Sequence, residues 1–262
     1  MALPMVARAQ GAPVIARKIA VYSDSFGDGG NPLGRPKRTV SGGFGFNSQY
    51  STWESYGNAS NQFNMARRIS AAVPGSSYDA QQFGGSTLVG MTDGYRPDLN
   101  TNALVPAFGG LTLVQHAIAI QADQVVIHLG GNDALSPADR TAVSAYWFSQ
   151  LIGKPLAQNG TRLAIVEAPY PVPEDTFGPT DPTTGAYADL VGRRDSLNSG
   201  IDAAVAEINA HYPGFATRVR YWSNGAVAMN PGTTHEGLHP TLVTHMAIAS
   251  AVAAQVRAFR GW

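Results

Sequence analysis

The chain has no cysteine. Disulfides, thiolate nucleophiles and cysteine-based zinc sites are therefore excluded, while the redox compartment stays open. No apolar run reaches the roughly 18 residues that a transmembrane helix needs. There is no surplus of charge either, with 18 basic residues against 18 acidic and no basic cluster. Nucleic acid and anionic membrane surfaces thus lack an electrostatic reason to bind. Two common signatures are missing as well. No G-x-S-x-G turn carries a nucleophile, and no G-x-x-x-x-G-K-[ST] loop cradles a phosphate.

What remains is ample for a core. The 262 residues are 44% hydrophobic, which suits one large α/β domain better than two small ones. Residues 1–16 read as a flexible N-terminal segment and residues 17–262 as the domain. Ala7-Arg8-Ala9 has the small-x-small form of a signal-peptidase site behind a short apolar stretch, so a periplasmic or secreted location is the expectation, with a cytoplasmic one as the alternative.

Along the chain, short apolar runs alternate with helical periodicity. Strands are expected at residues 18–23, 76–83, 125–129, 163–166 and 219–222. The runs Val125–Leu129 and Leu163–Val166 are apolar without alternation, the mark of strands buried on both faces. Helices are expected near 53–72, 111–121, 136–152, 188–208 and 240–259. Leu111, Val114 and Ile118 would fall on one side of the second, and the third carries Val143, Trp147, Leu151 and Ile152. Ser136-Pro137 reads as N-cap and first residue, and Pro240 as the opening of the last helix. Residues 26–52, 91–110 and the proline-rich 168–187 read as loops, the last as a lid or a rigid connection. This order implies a three-layer α/β/α sandwich with a flavodoxin-like, mostly parallel central sheet. In such sheets the site lies beyond the carboxyl ends of the strands.

The chemistry-bearing residues collect at those ends. Ser25 follows the first strand in Val21-Tyr22-Ser23-Asp24-Ser25. Asn132 follows Val125–Leu129, and His239 lies after the last strand in Thr234-His235-Glu236-Gly237-Leu238-His239-Pro240. A serine needs a base to take its proton, and histidine suits that near neutral pH. The base needs an acceptor to fix its tautomer, which Glu236 can supply. An oxyanion needs donors; the N–H groups of Ser25 and Gly85 and the Asn132 amide are the candidates. Asp24 and Asp28 read as turn residues, Asp133 as bonding its own loop, His128 as a core histidine, and His116 and His211 as surface or helix-end residues.

Four blocks in order resemble the SGNH hydrolases, also called the GDSL esterase/lipase family. Ser25-Phe26-Gly27-Asp28-Gly29-Gly30-Asn31 looks like the first block, Gly84-Gly85-Ser86-Thr87 the second, Gly130-Gly131-Asn132-Asp133 the third and Glu236-Gly237-Leu238-His239-Pro240-Thr241 the fifth. The resemblance implies a cofactor-free serine esterase acting on a lipid or glycan ester. In it Ser25 is the nucleophile, Gly85 and Asn132 are oxyanion donors, and His239 is the base. Ser23 and Phe26 depart from the family's usual glycine and leucine. Glu236 stands where the family has aspartate, which leaves a Ser–His dyad as the alternative to a triad.

Two other readings compete. His235-Glu236-Gly237-Leu238-His239 is literally H-E-x-x-H, with His245 where a third ligand would fall, so a zinc metallopeptidase is one rival. That motif requires His235 and His239 on one helical face, which Gly237 and Pro240 oppose. A non-catalytic binding module on the same fold is the other. The sequence leaves open the natural ester, and whether Phe44, Phe46, Tyr50 and Trp53 face a sugar or a lipid. It also leaves open the oligomeric state and the choice between hydrolysis and acyl transfer.

Overall fold

A computed structural model describes residues 17–24, 65–98, 101, 103–133, 135–169, 171–173, 180–183, 185–235 and 239–262. Ser25, Asp28, the 26–52 loop, the aromatic residues within 44–53, residues 174–179 and Glu236 lie outside these, as do residues 1–16. In chain order the elements are β1 (Arg17–Ser23), α1 (Met65–Ala71), β2 (Ser76–Gln82), α2 (Leu88–Thr92), β3 (Tyr95–Pro97), β4 (Leu104–Pro106), α3 (Leu113–Ala119) and β5 (Gln124–His128). Then follow α4 (Pro137–Tyr146), a π-helical stretch (Trp147–Gly153), α5 (Lys154–Gln158), β6 (Arg162–Val166) and α6 (Gly185–His211). The described chain closes with β7 (Ala216–Val219), β8 (Thr234–His235), β9 (His239–Pro240) and α7 (Leu242–Arg260).

The central sheet runs β2-β1-β5-β6-β7 with every pair parallel. Its strands lack polar alternation because both faces are covered. Successive side chains feed opposite cores. Ala20 and Tyr22, Val125 and Ile127, Leu163 and Ile165 join one cluster with Leu113, Phe148, Leu156, Leu197 and Ile201. Ile19, Val21, Val126, Ala164 and Val166 join the other, with Met65 and Ile69 of α1 and Ile248, Val252 and Val256 of α7. Helices α2 to α6 therefore cover one face, and α1 and α7 the other. The result is the expected three-layer α/β/α sandwich.

Several details differ from the sequence reading. Residues 91–110 are not all loop. They close α2 and form the antiparallel β3–β4 hairpin, Tyr95 opposite Pro106 and Pro97 opposite Leu104. Three-residue strands bearing prolines are too short to show a period. Helix α3 buries Leu113 and Ala117, while Leu111 and Ile118 are partly exposed. Its capping box at Thr112 and Gln115 sets that phase. Strand β7 ends at Val219, and α7 starts at Leu242 behind an N-cap at Thr241. His116 lies in the last turn of α3, a helix-end position as expected, half-buried, with its ring stacked on Phe108 and 2.8 Å from the buried Tyr22 hydroxyl.

The helix after β5 buries Arg140, Ser144, Phe148, Ile152 and Leu156, a stripe spaced by four, whereas Val143, Trp147 and Leu151 flank it. In an α-helix a spacing of four overshoots one turn. The wider i→i+5 turn of the π stretch falls short of one and cancels that drift. The stripe packs on α6, where Gly200 is required. A Cβ there would stand 1.9 Å from Ser144 Oγ and 2.8 Å from the Thr141 carbonyl oxygen. Alanine would gain about 1 kcal/mol of helix propensity. Overpacking of about 1–3 kcal/mol should outweigh it. Gly200→Ala should lower the urea midpoint, and Ser144→Ala in the same chain should restore part of it.

Candidate active site

The chain leaves β1 toward α1 on one face of the sheet and leaves β5 toward α4 on the other. Such divergence opens a crevice between the two strand ends. Backbone bonds tie the edge together: Phe83 N donates to Ser23 O at 2.9 Å and Asp24 N to His128 O at 3.4 Å. Ser25 is the next residue in the chain.

Asn132 bridges the crevice. Its Nδ2 donates to Asp24 Oδ2 at 3.3 Å and to the Ser86 carbonyl oxygen at 3.1 Å. The structure thus joins the ends of β1, β2 and β5 through one amide, next to the predicted site residue Gly85. Gly85, next to Ser86, is exposed with φ of 75°, a conformation costly for any residue with a Cβ. Ser86 Oγ and the Gln82 side-chain amide are buried at this edge with no hydrogen-bond partner among the described residues.

Asp133 bonds its own loop as expected only through its carbonyl oxygen, which accepts from Leu135 N at 2.9 Å. Its carboxylate receives Leu88 N at 2.9 Å and Val89 N at 3.2 Å, capping α2 directly after the second block. An anion at a helix N-terminus is favoured by the orphan amides there. Arg140, 1% exposed, holds the same loop from behind. Its guanidinium donates to the carbonyl oxygens of Gly130, Asp133 and Leu135. Burial lowers the Arg140 pKa, and the Asp133 charge opposes that shift.

A second polar group lies under the edge toward β7. Glu167, fully buried, accepts from the backbone N–H groups of Tyr221 (2.6 Å), Trp222 (2.8 Å) and Ser223 (3.1 Å), and from Ser223 Oγ. These bonds turn the chain out of the sheet after Val219, three residues before the expected strand end. The His128 ring meets Tyr221 edge-on. Burial drives His128 down to about 4, the neighbouring His245 pushes the same way, and a backbone hydrogen bond at Glu167 opposes both. His128 and His245 are thus core histidines. Sequence reading passed over Arg140 and Glu167. The available signals were a charged residue on the spacing-four stripe and an acid directly after an all-apolar strand.

His239 lies in β9, immediately ahead of α7. It pairs with His235 across an antiparallel ladder, with Thr234 opposite Pro240. This removes the basis of the zinc reading, because H-E-x-x-H presents two ligands only from one helical face. Among the described residues no group of three His, Asp or Glu is placed to hold a metal.

No family model and no curated protein matches the chain. Solved structures share its fold. A carbohydrate esterase family 2 enzyme plus carbohydrate binding domain from Corynascus thermopiles (Myceliophthora fergusii) is 18% identical, with 99% of this chain and 69% of that one covered at a TM-score of 0.53. A carbohydrate acetylesterase family member from Sinorhizobium meliloti is 15% identical, with 94% and 100% covered at 0.56. The native aryl esterase of M. smegmatis is 14% identical, with 93% and 99% covered at 0.51.

Two measurements test this account. Arg140→Met leaves buried carbonyls without donors, so it should cost about 2–4 kcal/mol in denaturant unfolding, more than a surface Arg→Met change. The folded His128 pKa of about 4 lies below the ordinary value of about 6.5. Between the two values the unfolded chain binds a proton that the folded one refuses. Stability should therefore fall as pH drops from about 6.5 to about 4, by on the order of 1–3 kcal/mol from this residue. His128→Phe should flatten that slope in unfolding curves recorded across the window.

Proposed function

We propose that the protein is a cofactor-free serine esterase of the SGNH type, cleaving a carboxylic ester of a glycan or lipid through an acyl-enzyme. The observation that carries this reading is the Asn132 amide between Asp24 and Ser86. It brings the second and third sequence blocks together at the end of β1, one residue before Ser25 in the chain. The esterase neighbours of the same fold support the reaction class, with carbohydrate and aryl esters among their substrates by description.

In this reading Ser25 attacks the carbonyl carbon as His239 takes its proton. The oxyanion is met by the Ser25 and Gly85 N–H groups and by Asn132. Nδ2 has two hydrogens, and both already have acceptors. Asp24 keeps one, and the other turns from the Ser86 carbonyl to the oxyanion as charge develops. His239 then protonates the departing alcohol, with Glu236 holding its other ring nitrogen. Water repeats the cycle on the acyl-enzyme, and a second alcohol in its place would give transfer.

A fluorophosphonate probe should label Ser25 and nothing else. Ser25→Ala should abolish labelling and lower kcat by about 10⁴-fold or more. Asn132→Ala should cost about 10²–10³ in kcat with labelling retained. Glu236→Ala separates a triad, with a large kcat loss, from a dyad, with little loss. Full esterase activity in Ser25→Ala would overturn the reading.

A further inference from the structure

The β3–β4 hairpin stands beside the candidate oxyanion glycine. A Cβ at Gly85 would lie 3.5 Å from Pro97 Cγ. The hairpin is fixed there. The Arg96 guanidinium sits 4.6 Å over the Phe83 ring, and Ala107 N donates to Gly94 O at 2.7 Å. At the hairpin base Gly94 passes so close to Leu111 that a Cβ would meet its carbonyl oxygen at 2.0 Å.

Residues opposite one another in an antiparallel pair, and residues two apart, share a face. Tyr95, Pro97, Leu104 and Pro106 therefore line one side, with Arg96 and Val105 on the other. That side is apolar yet open to solvent: Tyr95 is 44% exposed and Leu104 69%. An apolar face on a hairpin packed beside Gly85, and covered by nothing among the described residues, fits an apolar part of the substrate.

Which part follows from the layers. The hairpin stands with α2 on the face of the sheet that α2 to α6 cover. His239 arrives from the opposite layer, directly before α7. The oxygen that leaves takes its proton from His239, so the alcohol lies toward α7. The acyl substituent on the same carbonyl carbon then points the other way, past Gly85. We infer that the Tyr95–Pro97–Leu104 face is the acyl subsite, and that it selects linear aliphatic acyl groups longer than acetyl. Along the strand Tyr95 lies roughly 7 Å beyond Pro97, so a longer chain gains contact that an acetyl group never reaches. This inference rests on the esterase reading.

The test uses the full chain and p-nitrophenyl acetate, butyrate, hexanoate and octanoate, which share one leaving group. The wild type should show kcat/KM rising from acetate to hexanoate. Leu104→Ser and Tyr95→Ala, both at exposed positions, should each lose about tenfold on hexanoate and octanoate and keep their acetate rate. Circular dichroism checks that the variants fold. A chain-length profile identical in wild type and both variants overturns the inference while leaving the esterase reading intact. So does a loss that follows the alcohol in a series of acetyl esters. If no ester in either series is hydrolysed and the fluorophosphonate does not label Ser25, the esterase reading falls, and the subsite with it.

Discussion

A buried guanidinium holds the candidate site together. Arg140 is almost fully shielded from water, and its two terminal nitrogens donate to the carbonyl oxygens of Gly130, Asp133 and Leu135. A loop leaving a strand normally has water to satisfy its carbonyls; this one has a cation on the first turns of α4. Hydrogen bonds with a charged donor contribute roughly 1.5–3 kcal/mol each, about twice the neutral kind. The clamp reaches further than its own contacts. With the loop fixed, Asp133 caps α2 and Asn132 meets Asp24 and Ser86. One side chain thereby couples the third block to the second and to the end of β1.

Glu167 has the mirrored role at the other end of the sheet. There an anion gathers N–H donors, and the chain turns after β7 because three successive amides point at one carboxylate. Arg218, 3.4 Å away, balances part of its charge. Between the two anchors lies His128, kept neutral at ordinary pH by burial. The platform beneath the crevice is thus built from charged groups facing backbone dipoles, with few opposite charges paired directly. Such a platform is stiff, because a dipole bound on both sides has few alternative arrangements.

The parallel sheet was largely legible in the sequence because strands buried on both faces leave unbroken apolar runs, as at Val125–Leu129. The placement of Gly85 and Asn132 just beyond strand ends was legible because the apolar runs stop shortly before them. The β3–β4 hairpin was not, since three-residue strands carry no period and the prolines at 97 and 106 argue for loop. Arg140 was hidden for a different reason. A charged residue on a helix is ordinarily solvated, and only the packing shows that carbonyls wait for it in the core. The end of β7 was misplaced because Tyr221 and Trp222 favour a strand locally, and a distant carboxylate overrides them. H-E-x-x-H was present as letters while its backbone forms a ladder, so the motif failed on geometry.

The place of β1 in the sheet also bears on how the chain is made. β1 is the first described strand, yet it is central, between β2 and β5. Ile19 must wait for Gln124, about a hundred residues later, before its second edge is paired; at roughly 5–20 residues per second of synthesis that wait is on the order of 5–20 s. Throughout it, Ile19-Ala20-Val21-Tyr22 offers an open, apolar strand edge to any other nascent chain. Yield in a cell would then be governed less by the stability of the finished domain than by what shields one short segment during elongation.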